Sequence, residues 1–139
     1  HAEKIYLTVK QVANQESANQ RIRCSLNEGF LLFAKGKFAE ACKEFGNVLK
    51  EDPDHVFAAN NQAICLLHMC QLSKAIDVLE EVIRRNPPKN MDEVLVYNLC
   101  TLYELEADVH NNDKIGVLRT LVERYAGDDF FFSHSSVGA

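Results

Sequence analysis

The residues Gly29, Leu32, Ala41, Phe45, Val48 and Pro53 return as Ala63, Leu66, Ala75, Leu79, Val82 and Pro87, each 34 residues later. A fixed period of that length marks one supersecondary unit stacked on copies of itself. Within the unit, a small residue followed three later by a large apolar one lies where two helices cross. An Ala, a large apolar residue four further on and a closing Pro describe a second helix and its stop. The turn between the two helices is short in both copies, so they pack antiparallel. Gly29 and Ala63 then allow close approach to Ala41 and Ala75.

This arrangement resembles the tetratricopeptide repeat family. The resemblance implies an all-α superhelix of antiparallel helix pairs, about three repeats plus a leading helix, and a binding surface in place of an active site. Residues 1–19 read as a leading helix and its connection. Residues 20–126 read as the repeat domain, with repeats near 22–55, 56–92 and 93–126. Residues 127–139 read as a flexible tail. In Ala2 to Ala13 the apolar residues Ala2, Ile5, Val9, Val12 and Ala13 mark one helical face. That segment looks like the second helix of an earlier repeat, cut at its boundary, and predicts self-association through the uncovered face. The polar stretch Asn14–Asn19 reads as a break before the first repeat. Gly36 ends that repeat's first helix by adopting a left-handed turn. The second helix is expected from Phe38 to Glu51. The second repeat is expected at Asp54–Met69 and Ser73–Arg85, with Ser73 as N-cap.

The third repeat departs from the pattern. Tyr97-Asn98-Leu99-Cys100 aligns with Asn60-Asn61-Gln62-Ala63 at a shift of 37, which places an insertion at Pro88–Asp92. Lys114 replaces the helix-two Ala and Ala126 the closing Pro. In the tail, Phe130-Phe131-Phe132 has two readings: a cover over the last helix pair, or an anchor for a partner.

Composition narrows the function classes. A net charge of −5 gives neither a nucleic-acid footprint nor a basic membrane patch. No apolar run reaches the ~18 residues of a membrane helix, so any membrane association is peripheral. The chain opens at His1, so the lack of a leader segment says nothing. Five cysteines without a CxxC, of which Cys42, Cys65 and Cys100 fall within apolar helical patterns, read as small buried thiols in a reducing cytoplasm. Cys65, His68 and Cys70 sit on one helix but do not share a face, and no second ligand pair lies nearby, so no metal is expected. No phosphate loop or nucleophile motif occurs. These residues predict neither catalysis nor a cofactor.

Asn27, Asn61 and Asn98 recur at equivalent places on the first helices, with Asn60 beside the second. Those helices line the concave face of a tetratricopeptide array, so the four asparagines are candidate contacts for an extended peptide. Chaperone-binding members of the family grip a carboxylate with Lys, Asn, Asn, Lys and Arg. The matching places here hold Leu26, Phe30, Asn61, Val94 and Asn98, and the cations are missing.

Phe57-Ala58-Ala59-Asn60-Asn61-Gln62-Ala63-Ile64-Cys65-Leu66-Leu67 and Val96-Tyr97-Asn98-Leu99-Cys100-Thr101-Leu102-Tyr103-Glu104-Leu105-Glu106 resemble two segments of the trafficking protein particle (TRAPP) complex subunit twelve family, from its C-terminal repeat domain. That resemblance implies a non-catalytic subunit of a vesicle-tethering assembly, cytoplasmic, at the endoplasmic reticulum–Golgi interface, with other protein subunits as partners. The open alternative is a tetratricopeptide adaptor, or co-chaperone-like peptide-binding module, of another assembly. Tyr97 and Glu104 are the candidate partner contacts that face outward in this stretch.

Overall fold

The computed structural model describes residues 2–110. They form six helices: α1 Ala2–Ala34, α2 Phe38–Glu51, α3 Val56–His68, α4 Leu72–Arg85, α5 Pro87–Asn90 and α6 Glu93–His110. There is no strand among the described residues. Each long helix packs on the next in chain order, and α6 packs on α4. The result is an all-α helical repeat of the tetratricopeptide type.

The repeat residues build the core. Gly29, Leu32, Ala41, Phe45, Val48, Ala63, Leu66, Ala75, Leu79 and Val82 are all buried, while Pro53 and Pro87 stop helices at the surface. One apolar cluster joins Leu26 and Leu32 of α1 to Ala41, Phe45 and Val48 of α2, and to Ala58 and Cys65 of α3. A second joins α3 and α4 to Leu95, Leu99, Leu102 and Leu105 of α6. Each second helix of a repeat (B-type, α2 or α4) is therefore shared between the first helix (A-type, α1, α3 or α6) before it and the one after it. The close approach at Gly29 is to the ring of Phe45: a Cβ there would lie 2.7 Å from the ring edge. Gln62 on α3 donates to the Cys42 carbonyl on α2 (3.3 Å), tying the two repeats together.

Both intra-repeat turns close in the same way. After α1, Gly36 N–H donates to Phe33 and Lys37 N–H to Leu32, both at 2.9 Å, with Gly36 at φ 75°. After α3, Cys70 N–H donates to Leu67 and Gln71 N–H to Leu66, again at 2.9 Å, with Cys70 at φ 59°. This paired bond is the Schellman closure of a helix C-terminus. It places the start of α4 at Leu72, so Ser73 lies inside the helix, and the N-cap is Gln71, without a side-chain bond. Side-chain caps occur elsewhere. His55 Nδ1 accepts from Ala58 N–H at 3.1 Å to start α3. Asp92 Oδ1 accepts from Val94 and Leu95 N–H at 3.0 and 3.3 Å to start α6.

The break expected at Asn14–Asn19 does not occur: α1 runs through it as one helix of 33 residues. The stretch is polar but holds no Gly or Pro, and polarity predicts exposure, not interruption. Gln15 bonds Asn19 one turn on (3.1 Å), and Arg21 bonds Ser17 (2.9 Å). Arg21 also pairs with Glu51 at 2.7 Å, which fixes α1 to the end of α2. N-terminal to that ion pair, Ala2 to Ser17 are exposed throughout.

The insertion at Pro88–Asp92 forms the one-turn helix α5 and its exit. Asn90 is buried there and donates to the Val82 carbonyl at 2.8 Å and to Asp54 at 2.9 Å. Arg85 reaches the same Asp54 oxygen at 3.2 Å. The expected second helix of the third repeat, with Lys114 and Ala126, and the tail with Phe130–Phe132 lie outside the described residues.

Candidate functional site

The asparagine set divides between surface and interior. Asn27 is exposed on α1, whereas Asn60, Asn61 and Asn98 are almost wholly buried. Asn98 Nδ2 donates to Asn60 Oδ1 at 2.8 Å, across α6 and α3. The reading of all four as peptide contacts is therefore corrected for these three: they lie in the interior, and Asn60 with Asn98 joins the second repeat to the third. The cause is their repeat position. Asn61 shares a helix face with Ala58 and Cys65, and Asn98 with Leu95 and Leu102, all of which sit under the preceding helix pair. That apolar flanking at i−3 and i+4 was the signal in the sequence that could have marked them as interior.

A buried amide pair demands mutual hydrogen bonding, because each polar atom has lost water. The Asn98–Asn60 bond thereby fixes the register of α6 on α3. Burial also removes Asn61 and Asn98, the two amides at the clamp positions, from any surface ligand. Of the remaining clamp positions Leu26 is buried, and Phe30 and Val94 are partly buried apolar residues. No cation occupies any of these places.

Tyr97 and Glu104 of α6 are exposed, as expected, and Thr101 between them donates to the Tyr97 carbonyl at 3.0 Å. Tyr103 is also exposed, and partial desolvation together with Glu80 raises its phenol above the ordinary value. Tyr103 and Cys100 stand at the places that Leu66 and Ala63 hold in the second repeat, against that repeat's own second helix. Tyr97 stands where Asn60 does, the place that in the second repeat meets the next repeat through Asn98, and here it is exposed. Tyr97 with Glu104 thus makes an aromatic and acidic patch on the last described helix. A phenol ring offers large contact area with a polar tip, and a neighbouring carboxylate favours a partner carrying a cation.

A concavity of about 350 Å³ lies between α2 and α4, over α3. Leu49, Ala59, Val78 and Val82 form its apolar lining, with Glu81 and Arg85 also on its wall. Neither surface brings together a nucleophile, a base and an oxyanion donor. Cys65 is buried, and desolvation pushes its thiol up to about 12. His68 stacks on Phe38 with ring centres 4.2 Å apart. The expectation of buried thiols is corrected for the others: Cys42 is half-buried, Cys70 is exposed in its left-handed turn, and Cys24 and Cys100 are exposed on α1 and α6. Among the described residues, no three His, Cys, Asp or Glu side chains are placed to hold a metal ion, and no helix is long and apolar enough to cross a membrane.

A stacked helical-repeat array with exposed faces and this lining is the architecture of a protein-interaction scaffold. Comparison with known proteins agrees: residues 32–95 match the tetratricopeptide repeat family. The chain is 33% identical over 130 residues to trafficking protein particle complex subunit 12 of Mus musculus, covering 93% of this chain and 16% of that protein. To the protein of the same name in Homo sapiens it is 32% identical, over 93% of this chain and 18% of that one. The chain therefore spans less than a fifth of either relative. Outer membrane protein assembly factor BamD of Rickettsia prowazekii (strain Madrid E) is 31% identical over 108 residues, 74% of this chain and 41% of that protein. No solved structure matches the chain.

Proposed function

We propose that this chain is a non-catalytic scaffold of a TRAPP-type vesicle-tethering assembly, acting at the cytoplasmic face between the endoplasmic reticulum and the Golgi. The observation that carries the reading is the likeness to subunit 12 across 93% of the chain. Its contribution is a pre-formed surface: the helices are already ordered, so less entropy is lost when a partner docks. Its partners are other protein subunits, and its membrane association is peripheral. Tyr97 and Glu104 are the contacts proposed for a partner.

The test is capture of purified TRAPP subunits on the immobilised chain, with Tyr97→Ala and Glu104→Lys beside the wild type. The expected result is retention of at least one subunit by the wild type. Tyr97→Ala should weaken binding about tenfold or more, with helical circular dichroism unchanged. No retention by the wild type, or loss of helix in Tyr97→Ala, contradicts the proposal. The likeness to BamD favours a second reading, a repeat adaptor of a different assembly. Under that reading no TRAPP subunit is retained.

A further inference from the structure

The repeat lets each A-type helix be compared with the others, position by position. Ala58, Asn61 and Cys65 of α3, and Leu95, Asn98 and Leu102 of α6, are buried. They lie under the B-type helix before them, in clusters that hold Ala41, Phe45 and Val48 of α2 or Ala75, Leu79 and Val82 of α4. The equivalent residues of α1, 34 positions before those of α3, are Cys24, Asn27 and Leu31. All three are exposed, Leu31 at 49%. This edge of the array has the pattern of a covered face, and among the described residues nothing covers it.

A B-type helix covers its neighbour with one pattern: Ala, a large apolar residue four later, and Val three after that. α2 has Ala41-Phe45-Val48 and α4 has Ala75-Leu79-Val82. The same spacing occurs once more in the chain, as Ala2-Tyr6-Val9 at the start of α1. There Tyr6 is 66% and Val9 61% exposed, with Ile5 and Val12 exposed beside them. At 3.6 residues per turn, Ala2, Tyr6 and Val9 fall on the same side of α1 as Cys24, Asn27 and Leu31. The side that packs on α2, through Leu26, Gly29 and Leu32, is the opposite one. One helix thus carries a covering pattern and an uncovered edge on one face. Its continuity prevents the first from folding back onto the second.

We propose that this face is occupied by a second copy of the chain, with the two α1 helices side by side and antiparallel about a two-fold axis. Ala2, Tyr6 and Val9 of each protomer cover the partner's Leu31, Asn27 and Cys24, as Ala41, Phe45 and Val48 of α2 cover α3. A two-fold pairing closes both contacts at once, in the manner of an exchanged element. The described helices that follow lie on the far side of α1, where α2 packs on Leu26, Gly29 and Leu32, and leave the face open. The reciprocity also serves the area requirement. A stable interface buries roughly 800 Å² per partner, more than one contact of about two helical turns gives, and the reciprocal contact doubles the area. The inference does not depend on which assembly the chain serves.

The test is sedimentation velocity of the chain from low to high micromolar concentration. A dimer that forms with rising concentration is expected. Val9→Asp and Leu31→Asp, one on each half of the face, should each weaken it about tenfold or more by burying a charge, with helical circular dichroism unchanged. In a Cys70→Ser, Cys100→Ser background, Val9→Cys should form a disulfide with the partner's Cys24 on mild oxidation, and Cys24→Ser should abolish it. A monomer at every concentration, or a dimer indifferent to both aspartates, overturns the proposal. A Val9→Cys disulfide that survives Cys24→Ser overturns the register.

Discussion

The two halves of α1 teach opposite lessons. From Arg21 onward the helix is clamped: Leu26, Gly29 and Leu32 sit in the core, and the ion pair to Glu51 fixes it to α2. Before Arg21 the helix is as regular, yet Ile5, Tyr6, Val9 and Val12 face water. Tyr6 holds the place in its Ala-x-x-x-large-x-x-Val pattern that Phe45 holds in α2. Local sequence makes both segments helical. Only the neighbour decides whether the apolar face adds stability, because an isolated helix of this length is marginal without tertiary packing.

The sharpest way to break this comparison is to truncate both members of the pair. Phe45→Ala should lower unfolding stability by about 3–5 kcal/mol, since it empties a fully buried site against Gly29. Tyr6→Ala in the dilute protein should change it by under about 0.5 kcal/mol. Urea unfolding measures both, and similar losses would mean that the N-terminal half is packed after all.

Asparagines supply the next test. Asn98→Ala leaves the buried Asn60 carbonyl oxygen without its donor and should cost about 1–3 kcal/mol. Asn27→Ala, at the equivalent exposed place, should be within about 0.5 kcal/mol of wild type. Equal effects would undo the assignment of Asn98 as a repeat-joining residue.

The two turns make a smaller contrast. Gly36 and Cys70 fill the same left-handed position, and only Cys70 bears a Cβ there. Cys70→Gly should therefore stabilise the chain by about 1 kcal/mol, read as a higher urea midpoint. A lower midpoint would show that the Cys70 side chain contributes packing that its exposure does not suggest.

Acid should act on α3 from both ends. Burial lowers the proton affinity of His55 and of His68, with nearby Asp52 partly offsetting the effect at His55. The unfolded chain binds those protons first, so stability is complete above the unfolded histidine value of about 6.5 and falls as pH drops through it. Protonation also ends the cap, because Nδ1 of His55 can no longer accept from Ala58. Thermal melts from about pH 7.5 to about pH 5.5 should show a falling midpoint, and His55→Asn, which can keep the cap, should flatten the decline. An unchanged slope in that variant would remove His55 from the account.

Much of the fold was legible in the sequence. The 34-residue spacing gave the core of both complete repeats, and α2 begins and ends where Gly36 and Pro53 predict. What was not legible depended on neighbours or on turn geometry. The continuity of α1 through Asn14–Asn19 was hidden because a polar stretch reads alike as a loop and as an exposed helix. The start of α4 moved from Ser73 because the turn is set by Cys70, a residue type that seldom adopts a left-handed conformation. Asn60, Asn61 and Asn98 read as surface groups because a polar type outweighed their apolar flanks. The exposure of Tyr97 and Glu104 was legible because α6 separates them cleanly from Leu95, Leu99, Leu102 and Leu105.

The most direct test of the central claim, that neighbours and not local pattern set stability along this array, is amide hydrogen exchange followed peptide by peptide in dilute protein. The account predicts slow exchange across α2, α3, α4 and the Arg21–Ala34 half of α1, with fast exchange from Ala2 to Ser17. Equal protection along the whole of α1 under those conditions would contradict it.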